Sequence, residues 1–219
     1  MKTQASPPRP SPDAAGTTAS QILDVAERLA QTRGFNGFSY ADIAAELGIT
    51  KASLHYHFPG KADLGRAIIE RYSMEFAAAL EGINTSGVAA PVVLQRYVEL
   101  YARVFRDGRI CLCGMLAAEY ATLPDAMQQA IRTFFEDNEA WLARWFEAGE
   151  RAKTLAFQGG PKDAARLLTA ALEGAMLLAR PYGDPARFSQ SAAHLLREFV
   201  PASDPRTRRA GRSGRGARR

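Results

Sequence analysis

The sequence contains few cysteines and no long hydrophobic run. Its two cysteines, Cys111 and Cys113, are two residues apart. Positions i and i+2 of a helix point to nearly opposite sides, so these cysteines cannot form a disulfide framework. Free cysteines are typical of a reducing compartment. No stretch approaches the ~18 uninterrupted apolar residues of a membrane-spanning helix, and the N terminus lacks the apolar core of a signal peptide. We therefore expect a cytoplasmic protein that does not bind membranes.

Histidine is also scarce, and this limits the chemistry that the chain can perform. The three histidines are His55, His57 and His194. The first two are spaced i, i+2, whereas helical metal ligands favour i, i+4, and no third ligand is near in the sequence. A helical hydrolase or deaminase would need a nucleophile–base pair or a three-ligand metal set. The sequence therefore predicts no enzymatic activity, no catalytic residue, no metal site and no cofactor.

The positive charge is concentrated at one end of the chain. The net charge is +5, but residues 201–219 alone carry seven arginines against Asp204, which gives +6. The excess of basic residues therefore belongs to this tail and does not by itself indicate a basic DNA-binding face. An architectural DNA-binding protein, with the tail as its main DNA contact, is one interpretation of this charge.

The two ends of the chain differ from its centre in composition. Residues 1–16 are rich in Pro, Ser, Ala and Gly, and residues 201–219 are rich in Arg, Gly, Ser and Ala. Both are predicted to be disordered, because neither can bury enough apolar surface to offset the entropy of ordering. Between them apolar residues recur at helical spacing and no strand-like alternation persists. The fold class is therefore predicted to be all-α, with later helices near 91–106, 109–121, 124–152, 161–180 and 185–199.

The first 72 residues predict a group of short helices. The first helix is expected to end near Gly34 and to carry one apolar stripe of Ile22, Val25, Ala26, Leu29 and Ala30. Ser39 is a good N-cap for a second helix, and Thr50 for a very short third one after Gly48. A fourth helix should begin near Gly60. The predicted domains are a helix-turn-helix domain over 17–72 and an effector-binding and dimerisation domain over 73–200.

The segment from Ser39 to Lys61 carries the most informative pattern, SYADIAAELGITKASLHYHFPGK. A small residue at Ala44 lets the next helix cross closely, and Gly48 can adopt the positive φ of a tight turn. This spacing predicts a helix-turn-helix, although any antiparallel helical pair can show Ala-x-x-x-Gly. The shared core of the two helices would be formed by Ile43, Leu47, Ile49 and Leu54.

Residues 20 to about 72 resemble the TetR family of transcription regulators. The matching positions are Gly34-Phe35, Ser39, Asp42-Ile43-Ala44, Gly48-Ile49-Thr50-Lys51, Leu54-His55-Tyr56-His57-Phe58 and Lys61. The resemblance implies an N-terminal three-helix DNA-binding domain and a C-terminal helical bundle for ligand binding and dimerisation. It also implies that Thr50 and Lys51 contact phosphates or base edges and that Lys61 binds a phosphate. His55 departs from the pattern, because the family usually has tyrosine there. The DNA-binding residues expected on this basis are Ser39, Thr50, Lys51, Ser53, His55, Tyr56, His57 and Lys61.

The same resemblance implies a ligand cavity among the later helices. Aromatic and methionine side chains that would otherwise be ordinary core are candidates to line it. Asn138 and Glu173 are added because they lie on apolar helical faces, where an unpaired polar group costs free energy. The expected effector-binding residues are Tyr101, Phe105, Cys111, Met115, Tyr120, Phe135, Asn138, Trp141, Glu173 and Met176.

Cys111 begins an apolar helix, and two interpretations of it remain open. As a small apolar residue it can simply fill the core. A helix N terminus also lowers the pKa of a thiol, and some members of the TetR family sense oxidants or electrophiles through a cysteine in this region. The second interpretation predicts a reactive thiol at Cys111.

The resemblance implies a homodimeric regulator, and by the usual behaviour of the family a repressor, that a small molecule, electrophilic or oxidant if Cys111 is the sensor, releases from a near-palindromic operator. Its partners would be double-stranded operator DNA, a small-molecule effector and a second copy of the chain. Small residues beside leucines favour a dimer interface formed by helices 161–180 and 185–199. The alternative is an architectural DNA-binding protein without an effector, in which the helical C-terminal domain would have no role.

Overall fold

The computed structural model describes residues 12–83 and 87–201, with side chains described from Thr18 onwards. Over these residues the protein is helical and contains no strand, which confirms the all-α prediction. Short 3-10 turns lie at Tyr120–Thr122 and Arg180–Tyr182. The α-helices are α1 Pro12–Arg33, α2 Tyr40–Leu47, α3 Lys51–His57, α4 Lys61–Ile83, α5 Ala90–Arg106, α6 Leu112–Ala118, α7 Asp125–Arg151, α8 Pro161–Ala179 and α9 Pro185–Glu198.

Helices α1 to α3 form a small N-terminal head whose core is the predicted apolar stripe. Ile22, Ala26 and Ala30 of α1 are inaccessible to solvent, and α1 packs on α2, α4 and α6. Helix α1 begins at Pro12, so it extends into the segment 1–16 that we expected to be disordered. The remainder of that segment lies outside the described residues, as does the arginine-rich tail beyond Pro201.

Helix α4 joins the head to the C-terminal domain without a break. Its residues Leu64 and Ile68 are fully buried, and further along the same helix Tyr72 and Leu80 are also buried. The helix packs on α1 of the head and on α5, α6 and α7 of the C-terminal domain. The buried residues of both parts therefore form one continuous core. The boundary that we predicted between residues 72 and 73 falls inside this helix.

Helix α7 forms the centre of the C-terminal domain. It packs against α4, α5, α6 and α8, and α9 closes the bundle against α5 and α8. Because α7 has neighbours on several sides, it buries apolar residues around much of its circumference. Those residues are Met127, Ile131, Phe134, Trp141, Leu142 and Phe146. Within the described part of the chain, no helix is both long enough and apolar enough to span a bilayer.

Candidate nucleic-acid interface and effector site

The turn between α2 and α3 has the geometry of a helix-turn-helix. Asp42 accepts hydrogen bonds from the backbone N–H and the hydroxyl of Ser39, at 2.7 and 2.6 Å, and so fixes the start of α2. Gly48 ends α2 in the left-handed region at φ 64°, where a side chain would be strained. The Thr50 hydroxyl then caps α3 by accepting from the Ser53 N–H at 3.1 Å. Both predicted N-caps are therefore confirmed.

Helix α3 buries one residue in the head and leaves the others exposed or half-buried at the surface. Leu54 is fully buried against the head, whereas Thr50, Lys51, His55 and Tyr56 are exposed and Ser53 and His57 are half-buried. Tyr56 is 80% exposed, although a tyrosine in a small domain usually buries part of its ring. An exposed aromatic and a free lysine on one short helix are suited to contact a polyanion.

His55 and Ser39 are exposed but already have partners within the head. The His55 ring lies 4.8 Å from the ring of Tyr40, and its Nδ1 is 3.0 Å from the carbonyl oxygen of Pro59. The Ser39 hydroxyl donates to Asp42. A DNA contact by either side chain would therefore share or replace an existing hydrogen bond.

The structure does not leave the Lys61 ammonium free, although we expected it to bind a phosphate. It donates to the carbonyl oxygens of Phe35 and Phe38. It also lies 4.6 and 4.5 Å from the centroids of their two rings. Burial lowers the pKa of Lys61, while the charges of Glu119 and Asp42 act in the opposite direction. The first role of Lys61 is therefore to tie the start of α4 to the loop between α1 and α2.

A chain of buried polar groups crosses the centre of the C-terminal domain. The Tyr97 hydroxyl on α5 donates to Oδ1 of Asn138 on α7 at 3.0 Å. The amide nitrogen of Asn138 donates to the Tyr101 hydroxyl at 3.3 Å. Tyr97, Tyr101 and Asn138 are each 2% exposed or less. Asn138 is therefore satisfied by partners on another helix, which explains a polar residue on an apolar face.

Glu173 continues this chain towards α6. Its carboxyl occupies the space left by the missing side chain of Gly114, where a Cβ would lie only 2.0 Å from Oε2. Its Oε1 is shielded from solvent and has no hydrogen-bond partner among the described residues. Burial raises the pKa of Glu173 to about 7, although hydrogen bonds with Cys111 and Tyr101 act to lower it. A carboxyl with one oxygen shielded from solvent and not hydrogen-bonded is the kind of group that binds a ligand or moves a proton.

Cys111 lies at the N-cap of α6 and is 1% exposed. One of the two interpretations left open by the sequence predicted that the helix N terminus lowers the pKa of this thiol, and the structure gives the opposite direction. Burial raises the pKa of Cys111 well above its ordinary value, and the negative charge of Glu173 raises it further. The Gly114 backbone N–H acts in the expected direction but is outweighed. Loss of hydration therefore dominates over the weak field of a seven-residue helix.

The other predicted effector residues are divided between this centre and its surroundings. Trp141 stacks on Tyr97 at 6.0 Å, and Phe135 packs on Phe134 at 5.3 Å, next to the polar chain. Met176 is buried in α8. Three residues have partners elsewhere: Phe105 packs on Phe188 of α9, Met115 receives a hydrogen bond from Arg180, and Tyr120 faces Arg132 near the surface.

Three residues of the polar centre were missed in the sequence. Tyr97 lies four residues before Tyr101, and that spacing placed both hydroxyls on one helical face. Tyr72 of α4 reaches the Cys111 thiol, and Thr169 is buried in α8 with its hydroxyl unpaired. Only Tyr97 had a usable signal, since a tyrosine or threonine inside an apolar stripe is otherwise typical of core.

A groove between α4 and α7 lies beside Asn138, one member of the polar chain. It has a volume of about 320 Å³ and is lined by Phe76, Leu80 and Trp141 on its apolar side. Asn138 forms part of its floor. Asp137 and Arg144 also line the groove, so a molecule that enters it meets both apolar and charged side chains. No group of three or more possible metal ligands occurs in the described part of the chain.

The far end of α6 contacts the head. Glu119, the C-cap of α6, accepts from the backbone and side-chain N–H groups of Asn36 at 3.0 and 2.9 Å. Gly34 makes this approach possible, because a Cβ there would overlap the Glu119 carboxyl. Arg180 also reaches the head and donates to the Thr32 carbonyl. One short helix thus connects the Cys111 thiol to the loop that precedes α2.

The tight turn and the exposed helix α3 define the class of protein: it is a helix-turn-helix DNA-binding protein with an all-helical C-terminal domain. Residues 22–68 match the family described as bacterial regulatory proteins, tetR family, and residues 92–195 match the tetracyclin repressor-like C-terminal domain. The chain belongs to the TetR family of transcriptional regulators, as the resemblance indicated. It is therefore a DNA-binding transcriptional regulator.

Three relatives illustrate the likeness. A TetR-family regulator from Agrobacterium tumefaciens is 31% identical, with a TM-score of 0.82 over 85% of this chain and 100% of that one. The Escherichia coli repressor NemR in its reduced form is 26% identical, with a TM-score of 0.73 over 85% and 100% of the two chains. The transcriptional regulator AcuR of Cereibacter sphaeroides is 29% identical over 79% of this chain and 80% of its own.

Proposed function

We propose that this protein is a homodimeric repressor that binds a near-palindromic operator and is released when a small electrophile reacts with Cys111. The observation that carries the DNA-binding part is helix α3, which buries Leu54 and exposes Lys51 and Tyr56. A dimer would present two such helices to successive major grooves about one helical turn apart. The operator is therefore expected to have two half-sites related by a dyad.

Operator binding can be tested with one exposed tyrosine and a matched control. Tyr56→Ala should weaken operator binding by roughly 1–3 kcal/mol while the helix content stays the same. Tyr182→Ala is the control, because Tyr182 is 63% exposed but lies in the 3-10 turn after α8, outside the helix-turn-helix. Affinities would be measured by fluorescence anisotropy with operator and random DNA. Equal affinity of both variants and the wild type would move the DNA-binding surface away from α3.

The polar centre supports the effector part of the proposal. Cys111 is buried beside Tyr72, Tyr101 and Glu173, and it begins the helix whose other end holds Asn36. A covalent adduct on Cys111 would enlarge a side chain in a filled core and displace α6. That displacement would reach the loop before α2. The likeness to NemR, a repressor that has been crystallised in a reduced form, agrees with thiol chemistry.

The two cysteines provide the decisive comparison. Cys111→Ser should bind operator as the wild type does and should remain bound after treatment with N-ethylmaleimide. Cys113→Ser should be released normally, although Cys113 is equally buried. Release would be followed by loss of anisotropy from labelled operator, and the adduct would be located by mass spectrometry. The sensor role of Cys111 is excluded if all three proteins are released to the same extent.

A further inference from the structure

Glu173 has a position that the binding of DNA and the packing of the core leave unexplained. We propose that Glu173 is the proton acceptor that activates the Cys111 thiol for addition to a neutral α,β-unsaturated carbonyl compound. This inference rests on the proposed sensor role of Cys111 and adds a residue and a ligand class to it. Helix α8 brings the Glu173 carboxyl to the start of α6, although the two helices are far apart in the sequence.

The geometry around Glu173 shows a carboxyl held against the thiol. The carboxyl lies close enough to the Cys111 thiol and the Tyr101 hydroxyl for both groups to affect its pKa, while Oε1 is shielded from solvent without any hydrogen-bond partner among the described residues. The carboxyl reaches this position only because Gly114 has no side chain to block it. An unsatisfied buried acceptor costs free energy, and it is explained if that oxygen takes up a proton or meets a ligand.

The reaction is a simple addition in which atoms and electrons balance. Glu173 removes the thiol proton, and the sulfur electron pair forms a bond to the β-carbon of the alkene. The π electrons of the alkene move to the α-carbon and the carbonyl oxygen, where the Tyr101 hydroxyl can donate a hydrogen bond. The Glu173 carboxyl then returns the proton to the α-carbon. The net change is the addition of S–H across the double bond, and no other reactant is needed.

The acid–base properties of the two groups support this order of events. Burial raises the pKa of Cys111 far enough that its thiolate is scarce at neutral pH. Burial also raises the pKa of Glu173 to about 7, which makes its carboxylate a stronger base than an exposed glutamate. A general base is most effective when its pKa lies near the working pH. The thiol therefore reacts through its neighbour rather than by its own ionisation.

The charges around the centre select a neutral electrophile. The groups that face it are Tyr72 from α4, Tyr97 and Tyr101 from α5, and Cys113 from α6, with Glu27 of α1 acting on Cys113. No lysine or arginine is among the groups that act on Glu173. An anionic alkene would lose its hydration without gaining a cation, which is costly in a buried site. The centre therefore accepts an amide, ester or aldehyde and rejects a free carboxylate.

The first test measures the rate at which Cys111 is alkylated by acrylamide in the full-length protein. Glu173→Gln should slow this reaction about tenfold or more, since general base catalysis is commonly worth at least that much. Glu136→Gln, an exposed change on α7, should react like the wild type. A carboxylate that only repelled the thiolate would have the opposite effect, so equal or faster alkylation of Glu173→Gln overturns the proposal.

A second measurement needs no variant. The rate of alkylation of the wild-type protein should rise with pH through an apparent pKa near 7 and then level off. A rate that rises steadily through pH 8 without that inflection would mean that the thiol ionises unaided, and the proposal would be wrong. Acrylate, normalised to its rate with free cysteine, should react at least tenfold more slowly than acrylamide. Equal normalised rates for acrylate and acrylamide would show that the site does not select neutral electrophiles.

These results are separable from the proposed sensor function. If Cys111 is alkylated and operator is released, but Glu173→Gln reacts as fast as the wild type, the inference about Glu173 fails alone. If alkylated wild-type protein stays on its operator, the sensor function fails whatever Glu173 does.

Discussion

Lys61 shows how one side chain can match a motif and still have another role. Its ammonium bridges two backbone carbonyls of the loop between α1 and α2 and lies between two phenylalanine rings. Lys51, by contrast, is exposed at the start of α3. We therefore expect Lys61 to act mainly in folding and Lys51 to contact DNA.

Replacing Lys61 by Ala should lower stability as well as affinity for DNA. The variant loses the two hydrogen bonds that the charged Lys61 ammonium donates to backbone carbonyls. Because the ammonium is only half-buried, water screens these bonds in part, and we expect a loss of roughly 1–2 kcal/mol in the free energy of unfolding. Lys51→Ala should weaken DNA binding with an unchanged melting temperature. Thermal denaturation and anisotropy would distinguish the two variants. Identical melting temperatures for wild type and Lys61→Ala would show that the bridge is unimportant.

The pKa of Glu173 predicts a specific dependence of stability on pH. In the folded state this pKa is about 7, well above that of an unfolded glutamate, so the folded protein holds a proton that the unfolded chain releases. The stabilisation is complete below pH 4.5 and is lost as the pH rises to 7. The loss should be roughly 3 kcal/mol at about 1.4 kcal/mol per unit. Urea denaturation at several pH values would give the free energy of unfolding of the wild type and of Glu173→Gln. The difference between the two should grow from pH 4.5 to pH 7, and a difference that is independent of pH would contradict the raised pKa of Glu173.

At the scale of elements, α6 is the shortest connection between the polar centre and the head. Its first turn follows Cys111 and its last residue precedes Glu119, which holds Asn36. We expect these seven residues to move as one helical unit, so that a shift at Cys111 would reach Glu119. Helix α4 crosses the same boundary on another side, and together the two helices fix the head on the bundle.

Glu119→Ala should uncouple the head from the effector site. It removes both hydrogen bonds to Asn36, while Lys61 and α4 still hold the head. We expect operator affinity within about threefold of the wild type and normal alkylation of Cys111, but markedly less release of operator by the alkylated protein. Anisotropy before and after N-ethylmaleimide treatment provides the measurement, with Glu136→Gln as control. Full release of alkylated Glu119→Ala would show that the signal travels by another route.

For the whole molecule, the clearest apolar surface that a single chain leaves uncovered is the exposed face of α8. Leu167, Leu177 and Leu178 are 56, 50 and 73% exposed, and a Cβ added at Gly174 between them would meet nothing. Within the two helices that we expected to form the dimer interface, Leu168, Leu172, Phe188 and Phe199 lie in the core of the single chain. The expected dimer interface is therefore narrower than the sequence indicated. It is centred on the exposed face of α8 that carries Leu167, Leu177 and Leu178.

Leu178→Glu should convert the dimer to a monomer. A charge on an apolar helix–helix interface is costly to desolvate, whereas Met74→Glu, at a side chain 66% exposed on α4, should leave the dimer intact. Sedimentation at micromolar concentration would give the masses. The Leu178→Glu monomer should also lose operator affinity, because one head contacts one half-site. A wild-type chain that sediments as a monomer would refute the dimer itself.

The sequence by itself determined the helices and the DNA-binding motif, because both depend on neighbours along the chain. Caps at Ser39 and Thr50, the glycine turn at Gly48 and the apolar spacing of each helix act within a few residues. The later helices begin and end within a few residues of their predicted bounds for the same reason. The helix-turn-helix and the all-α class were predictable from these local signals.

Only the tertiary structure decided which polar side chains meet. Glu173, Cys111, Tyr101 and Asn138 come from four helices, and no periodicity along the chain states that their side chains converge. The environment of Cys111 is the clearest case: the local signal, a helix N terminus, predicted a lowered thiol pKa, and burial beside Glu173 reversed its direction. Lys61 likewise found its partners in a loop more than 20 residues away. Desolvation and long-range contact depend on what surrounds a group in space, and that is fixed only when the helices pack.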